Sequence, residues 1–250
     1  EVGHDLAIQY NDRSPLENMH CAKLYSITAD GALNVFGNLT KEQHVHARKL
    51  CIETILHTDM MSHNSMVKEL QMLYEVNSEV FEAQRAEPAQ LPGPNEEEAD
   101  VFSGSAETKL LVMEAILHSA DVSNPCRAWD VTEAWAMACL AEFFDQGDRE
   151  KELGVPVQFL NDREKLNKPN SQIGFIEFMI APFVAAQLRL WPALGELGSN
   201  LSSNLKTWED RWVAETSPGD EERQKVRARV ERVKDGLQDA VARKPVQAVY

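Results

Sequence analysis

His118 and Asp121 stand three residues apart, so on a helix they share one face, and the apolar run that carries them is broken at Asn124-Pro125. A carboxylate at a helix C-terminus adds to the negative end of the backbone dipole, unfavourable by roughly 0.3–1 kcal/mol, and calls for a metal ion or an arginine. An Asx-type turn, with Asp121 or Asn124 capping backbone amides ahead of Pro125, is the plain structural alternative. His57, Asp59 and His63 crowd into one short run, yet Asp59 or Ser62 serves equally well as the cap of a following helix. His44 and His46 are two apart, on different helix faces, and read as surface residues. Glu17 reads as the third residue of a capping box. Gln172 and Phe175, one turn apart, have the chemistry to hydrogen-bond and stack a flat ring. No phosphate-cradling glycine loop, GxSxG or HExxH is present.

These residues need helices to hold them. Helix punctuation recurs along the chain while alternating strand patterns are nearly absent, so the expected fold is all-α. Ser14-Pro15-Leu16-Glu17 reads as a capping box with proline at the first helical position, opening a helix to about Ile27. Thr40-Lys41-Glu42-Gln43 opens another, carrying Val45, Leu50, Ile52, Ile55 and Leu56, and Ser62 starts a third with Met66, Leu70, Leu73 and Val76 on one face. Residues 86–100, with Pro88, Pro92, Gly93, Pro94 and Glu96-Glu97-Glu98, read as an acidic solvated loop. Beyond it the pattern predicts helices over 106–120 and from an Asp130 cap to Gly147. A long loop over 148–171 follows, then an apolar helix capped by Asn170 or Ser171 and kinked at Pro182. Two polar helices, 192–216 and 218–241, complete the chain.

Composition narrows the function. A chain of 250 residues that is 43% hydrophobic can bury a core. A net charge of −15 repels phosphate backbones and anionic lipid, so nucleic acid is not an expected partner, and a phosphate-bearing substrate needs local cations. The best candidate membrane span, 173–190, is interrupted by Glu177, Gln187 and Arg189, and no membrane contact by this chain is expected. Four cysteines without a CxxC pair point to reduced thiols and an intracellular, cytoplasmic-side setting.

Five segments in one order carry a further reading: residues 6–20 (LAIQYNDRSPLENMH), Thr58-Asp59-Met60, 118–125 (HSADVSNP), 142–148 (EFFDQGD) and 171–175 (SQIGF). Together they resemble the catalytic domain of class I 3′,5′-cyclic nucleotide phosphodiesterases. The resemblance implies a compact multi-helix, HD-domain-like fold with two divalent metals, usually zinc plus magnesium or manganese, that hydrolyses cAMP or cGMP to the 5′-monophosphate. By it, Asp121 is the metal-ligating aspartate. Gln172 holds the purine edge, Phe175 stacks on the purine, and Asn124 lines the nucleotide pocket. Glu17 and Thr58 stand around the waters of the weaker metal, and Met60 lies near the pocket wall. Counting back from Phe143, the aliphatic partner of the purine clamp falls on Cys139, a smaller side chain that loosens the grip. Pro15 stands where valine is usual.

In the family a histidine-rich stretch upstream of these segments supplies the catalytic histidine and the other metal ligands. His4-Asp5 imitates its His-Asp pair but abuts Leu6-Ala7 directly and reads as coincidence. The expectation is therefore one catalytic domain over 1–250, incomplete at its N-terminus and inactive alone, with 218–250 as a C-terminal helix and tail. A fused regulatory or sensor domain is the expected partner. A non-catalytic nucleotide-binding module is the alternative, as is a helical dimerisation element in which Val226, Val230, Val233, Leu237 and Val241 form the seam of a homodimer.

Overall fold

Thr40 shows how directly some of the sequence becomes structure. Its hydroxyl accepts from the Gln43 backbone N–H at 3.2 Å while the Gln43 side chain accepts from the Thr40 N–H at 3.0 Å, the full capping box. A computed structural model describes residues 3–83 and 94–243, and every regular element among them is helical, as expected. In chain order these are α1 (Asp5–Gln9), α2 (Pro15–Thr28), α3 (Lys41–Leu56), α4 (His63–Val76), α5 (Ser78–Glu82), α6 (Glu96–Ser103), α7 (Ala106–Val122), α8 (Trp129–Leu153), α9 (Lys168–Phe175), α10 (Ala181–Leu190), α11 (Gly195–Thr216) and α12 (Asp220–Val241). A π turn, Ile176–Ile180, joins α9 to α10. The chain forms two compact units, one of Glu1–Glu69 with Ala99–Asp121 and one of Leu70–Glu98 with Val122–Tyr250.

In the first unit the capping box expected at Ser14 is not made. Ser14 sits in the left-handed region at φ 42°, after Asn11 and Asp12 at 54° and 58°, and makes no side-chain cap bond. Its hydroxyl instead donates to Asp59 Oδ2 at 2.7 Å. Asp59 in turn caps the short 3-10 turn Met60–Ser62 by accepting from the Met61 N–H at 2.9 Å. The expected start of the third helix at Ser62 thus belongs to that turn, and α4 begins at His63. His63 is buried with its Nδ1 2.8 Å from Nε2 of His118, which is fully enclosed.

The second unit is built on the apolar helix. Ile173, Ile176, Ile180, Val184 and Leu188 enter one core with Leu201, Leu205 and Trp208 of α11 and Val226, Val230 and Leu237 of α12. From Lys168 to Leu190 this helix is long and apolar enough to cross a membrane by composition, with a mean hydropathy of 1.5 over its best window, but its apolar face is spent on the core. The seam of α12 is likewise used within its own unit rather than left for a second chain. Pro182 lacks the N–H that an uninterrupted helix needs, and the chain meets this with the π turn before it.

Several expected boundaries move for physical reasons. Residues 86–93 of the expected acidic loop lie outside the described residues, but Glu96-Glu97-Glu98 open α6, where carboxylates meet the positive end of the dipole. Asn95 Oδ1 accepts from the Glu98 N–H at 2.7 Å and starts that helix. α8 does not stop at Gly147 but runs to Leu153, closed by Gly154 at φ 66°. Its N-cap is Ala128, with Asp130 in the first turn. The N-cap of α9 is Asn167, whose side chain accepts from the Asn170 N–H at 2.9 Å, rather than Asn170 or Ser171. α11 begins at Gly195, after a 3-10 turn Pro192–Leu194, and α12 at Asp220.

Arg243, just past α12, closes the second unit. Its guanidinium donates to the carbonyls of Arg189 (2.8 Å), Leu190 (3.1 Å) and Phe81 (2.7 Å) and pairs with buried Glu98 at 2.7 Å. Those carbonyls lie at helix ends, where the helix itself supplies no donor. Arg243→Ala strands a buried carboxylate and three acceptors, and should lower the unfolding free energy by about 3–5 kcal/mol. Arg243→Lys, a single point charge in place of a fork, should recover only part of it. Urea unfolding of the three proteins is the measurement; equal midpoints would deny Arg243 this role.

His118 gives a pH dependence. Burial, then His63, lowers its pKa from 6.5 to about 4. The unfolded chain binds a proton near 6.5 and the native chain only near 4, so this group's contribution to stability is lost as pH falls through that window. The slope approaches about 1.4 kcal/mol per pH unit. In His118→Gln the dependence of the urea midpoint on pH between 6.5 and 4 should flatten.

Candidate functional site

Local sequence decides which way α9 faces. Ile173 and Ile176 are buried at 1% exposure or less, and each is preceded by a partly buried residue, Gln172 and Phe175, the latter packed against the edge of the core. Those two side chains line a cavity of about 150 Å³ in the second unit, opposite Ala136, Cys139, Leu140 and Phe143 of α8. Whole-ligand pockets begin at roughly 300 Å³, so the cavity is the size of a subsite for one ring system.

Asn124 reaches the rim from a 3-10 turn, Asn124–Cys126. Neither the Gln172 nor the Asn124 side-chain amide hydrogen-bonds to any described residue, so both present a donor and an acceptor to whatever enters. Phe175 offers a ring face. The Cys139 thiol is pushed above its ordinary value by burial and then by Glu142, which keeps it neutral, a small apolar contact rather than a nucleophile. Among the described residues no lysine, arginine, aspartate or glutamate lines the cavity. It can bind and orient a flat polar heterocycle; it cannot neutralise a phosphate.

Leu160 closes one side of the cavity and depends on a glycine. It sits in the 3-10 turn Phe159–Asn161, which crosses α8 at Gly147 so closely that a Cβ on Gly147 would lie 2.0 Å from the Asn161 carbonyl oxygen. Side chains tie the turn down: Asn161 donates to Glu150 at 3.0 Å, and Arg163 pairs with Asp148 at 2.6 Å and Asp145 at 3.1 Å.

Of the residues singled out from sequence, Asn124, Cys139, Gln172 and Phe175 are brought together around this cavity. Glu17, Thr58, Met60 and Asp121 belong to the first unit. Thr58 donates its hydroxyl to the Ile55 carbonyl at 2.7 Å, Met60 is 41% exposed, Glu17 lies in the first turn of α2, and Asp121 is exposed in the last turn of α7. His57 has left the imagined metal group: its Nδ1 is 3.0 Å from the buried Glu114 carboxylate. His4 is the N-cap of α1, its ring nitrogen accepting from the Leu6 N–H at 3.2 Å. Among the described residues no three His, Cys, Asp or Glu side chains converge as a metal cage, so the residues present do not by themselves fit a metal. Sequence reasoning missed Thr132, Ala136 and Leu160 in the lining, and Asn200 and Asn204 behind it. The signal for the last pair was there, as two asparagines four apart in a helix that otherwise turns leucine and tryptophan inward.

Comparison with known proteins agrees on one family. Residues 1–201 match the family described as 3′5′-cyclic nucleotide phosphodiesterase. The bovine dual specificity calcium/calmodulin-dependent 3′,5′-cyclic nucleotide phosphodiesterase 1B is 36% identical over 178 residues, 71% of this chain and 28% of that protein. Among solved structures, the phosphodiesterase domain of the RhoPDE fusion protein from the choanoflagellate Salpingoeca rosetta superposes with a TM-score of 0.67 at 26% identity. That match covers 83% of this chain and 59% of that one. LmjPDEB1 in complex with IBMX gives 0.69 at 27% identity, over 84% and 57%. The chain thus spans under a third of that relative's length and under two thirds of those solved chains.

Gly147→Ala should force the 159–161 turn off α8, because the clashing atom is backbone and cannot rotate away. A loss of about 1–3 kcal/mol in unfolding free energy is expected; an unchanged urea midpoint would show that the turn moves freely.

Proposed function

The chain belongs to the 3′5′-cyclic nucleotide phosphodiesterase family, and we propose that a protein containing it hydrolyses cAMP and cGMP to their 5′-monophosphates in second-messenger signalling. The observation that carries this is the convergence of Gln172, Phe175, Asn124 and Cys139 on one uncharged, base-sized cavity. Phe175 supplies a stacking face, and the Gln172 amide, unheld by any described neighbour, can turn its donor or its acceptor toward the ring. Adenine and guanine differ in just that pattern at the purine edge, so one cavity serves both. Cys139, where a larger aliphatic side chain is expected from the family resemblance, leaves the slot looser.

Enzymes of this family use divalent metals. We assign Asp121 as one ligand of a zinc site with magnesium or manganese beside it, a set that the described residues do not complete by themselves, and place Glu17 and Thr58 around the water of the weaker ion. Such ions would supply the cationic charge that a chain at −15 lacks. This chain's own residues bind and orient the base. The matched region is 28% of the bovine relative, which leaves room for a fused regulatory segment of the sort that relative's calcium/calmodulin dependence requires.

In a hydrolytically active protein containing this chain, Phe175→Ala should lower kcat/KM for cAMP and cGMP alike by about five- to 150-fold, the loss of roughly 1–3 kcal/mol of base stacking. Asp121→Ala should abolish turnover while leaving nucleotide binding measurable. Near-normal turnover in folded Asp121→Ala would refute the ligand assignment. Unchanged kcat/KM for both substrates in Phe175→Ala would refute the base site.

A further inference from the structure

The turn that carries Asn124 to the cavity rim is fastened from behind by one buried amide. Asn204, on α11 and 3% exposed, donates from Nδ2 to the carbonyls of Pro125 at 2.8 Å and Arg127 at 2.7 Å, with Thr132 Oγ1 also within 3.0 Å. One turn earlier on the same helix Asn200 donates to the Cys126 carbonyl at 3.1 Å. The Thr132 hydroxyl completes the arrangement by donating to the Asn124 carbonyl at 2.8 Å, with the Arg127 carbonyl at 3.1 Å. The four successive carbonyls of residues 124–127 are thus each met by a side chain. Neither Asn200 nor Asn204 lines the cavity.

A 3-10 turn of three residues has little internal bonding of its own. Buried carbonyls without donors are unfavourable, so the turn adopts the path along which α11 can serve them. A leucine at 204 would fill the same space beside Leu201 and Leu205, yet it would leave the Pro125 carbonyl without a side-chain donor and the Arg127 carbonyl with Thr132 alone. The amide therefore sets backbone position rather than packing volume. We propose that Asn204 is a positioning residue for ligand binding: by holding the 124–127 backbone against α11, it fixes where the Asn124 side chain stands at the cavity rim. This role rests on the reading of the cavity as a base site.

The test is a double-substitution cycle on the 250-residue chain, with 5′-AMP and 5′-GMP binding read by calorimetry and backbone amide exchange read by residue. Asn204→Ala should weaken binding of both nucleotides about tenfold and speed exchange at residues 123–127 while α9 and α12 stay protected. In Asn124→Ala the further change Asn204→Ala should have no additional effect on affinity, because the group it positions is gone. Asn200→Ala, which leaves two of the three α11-supplied bonds, should show the same pattern more weakly and remains informative if Asn204→Ala does not fold. Effects that multiply in the double variant would make Asn204 a general stabiliser and overturn the proposal, as would wild-type affinity in folded Asn204→Ala. An unsubstituted chain that binds neither nucleotide would instead overturn the base-site reading, and the role of Asn204 with it.

Discussion

The second unit depends on one helix being core and wall at once. Between Lys168 and Leu190 two cavity residues each precede a core residue, Gln172 before Ile173 and Phe175 before Ile176. Successive helical residues are rotated by about 100°, so burial of the two isoleucines sets the direction in which Gln172 and Phe175 project. The inward positions 173, 176, 180, 184 and 188 are spaced by three, four, four and four. That mean exceeds the 3.6 residues of an α-helical turn, and a straight helix would drift away from its partners. The π turn over Ile176–Ile180, with its wider repeat, absorbs the excess. Pro182, which cannot complete an ordinary hydrogen bond, and the need to keep one face on α11 and α12 are met by the same local deformation.

With the helix so fixed, the remaining polar problem lies at chain turns, where carbonyls leave their ladders. The second unit solves it at two places with side chains from elsewhere in the chain. Arg243 serves the carbonyls of Phe81, Arg189 and Leu190, and Asn204 with Asn200 serves those of Pro125, Cys126 and Arg127. The choice of residue follows the charge nearby. Beside Arg243 stands the buried Glu98 carboxylate, so a cation is matched there. At the Asn124 turn the donors are neutral amides, which bring no charge that would have to be compensated.

The all-α class, the Thr40 capping box and the inward face of the apolar helix were legible because each is a local pattern with a single dominant cause. Gln172, Phe175, Asn124 and Cys139 meet at one cavity, but pattern alone ranked them no higher than other polar residues and the family resemblance was needed to pick them out. Three of the misreadings come from contacts between residues separated along the chain. Ser14 looked like a cap until the tight reversal through Asn11 and Asp12 put it in a left-handed conformation facing Asp59. Gly147 looked like a helix end because glycine usually is one; here it sits mid-helix to let Asn161 approach. Glu98 looked like part of a solvated run until Arg243, 145 positions later, claimed it.

The electrostatics of the site explain its division of labour. On the proposed base-site reading, a cavity with no charged side chain among its described lining residues, in a chain at −15, would discriminate by shape and hydrogen-bond pattern and leave the phosphate to other groups. Binding energy gathered at a ring that does not react is useful to a hydrolase only if it positions the part that does. On that same reading rigidity in the cavity wall is at a premium, since a base free to shift would carry its phosphate with it and misplacement at a reacting centre is costly in rate. The buried amides behind the Asn124 turn, the core isoleucines behind Gln172 and Phe175, and the glycine contact behind Leu160 all act on that requirement. Each fixes the backbone of a wall residue from the side away from the ligand.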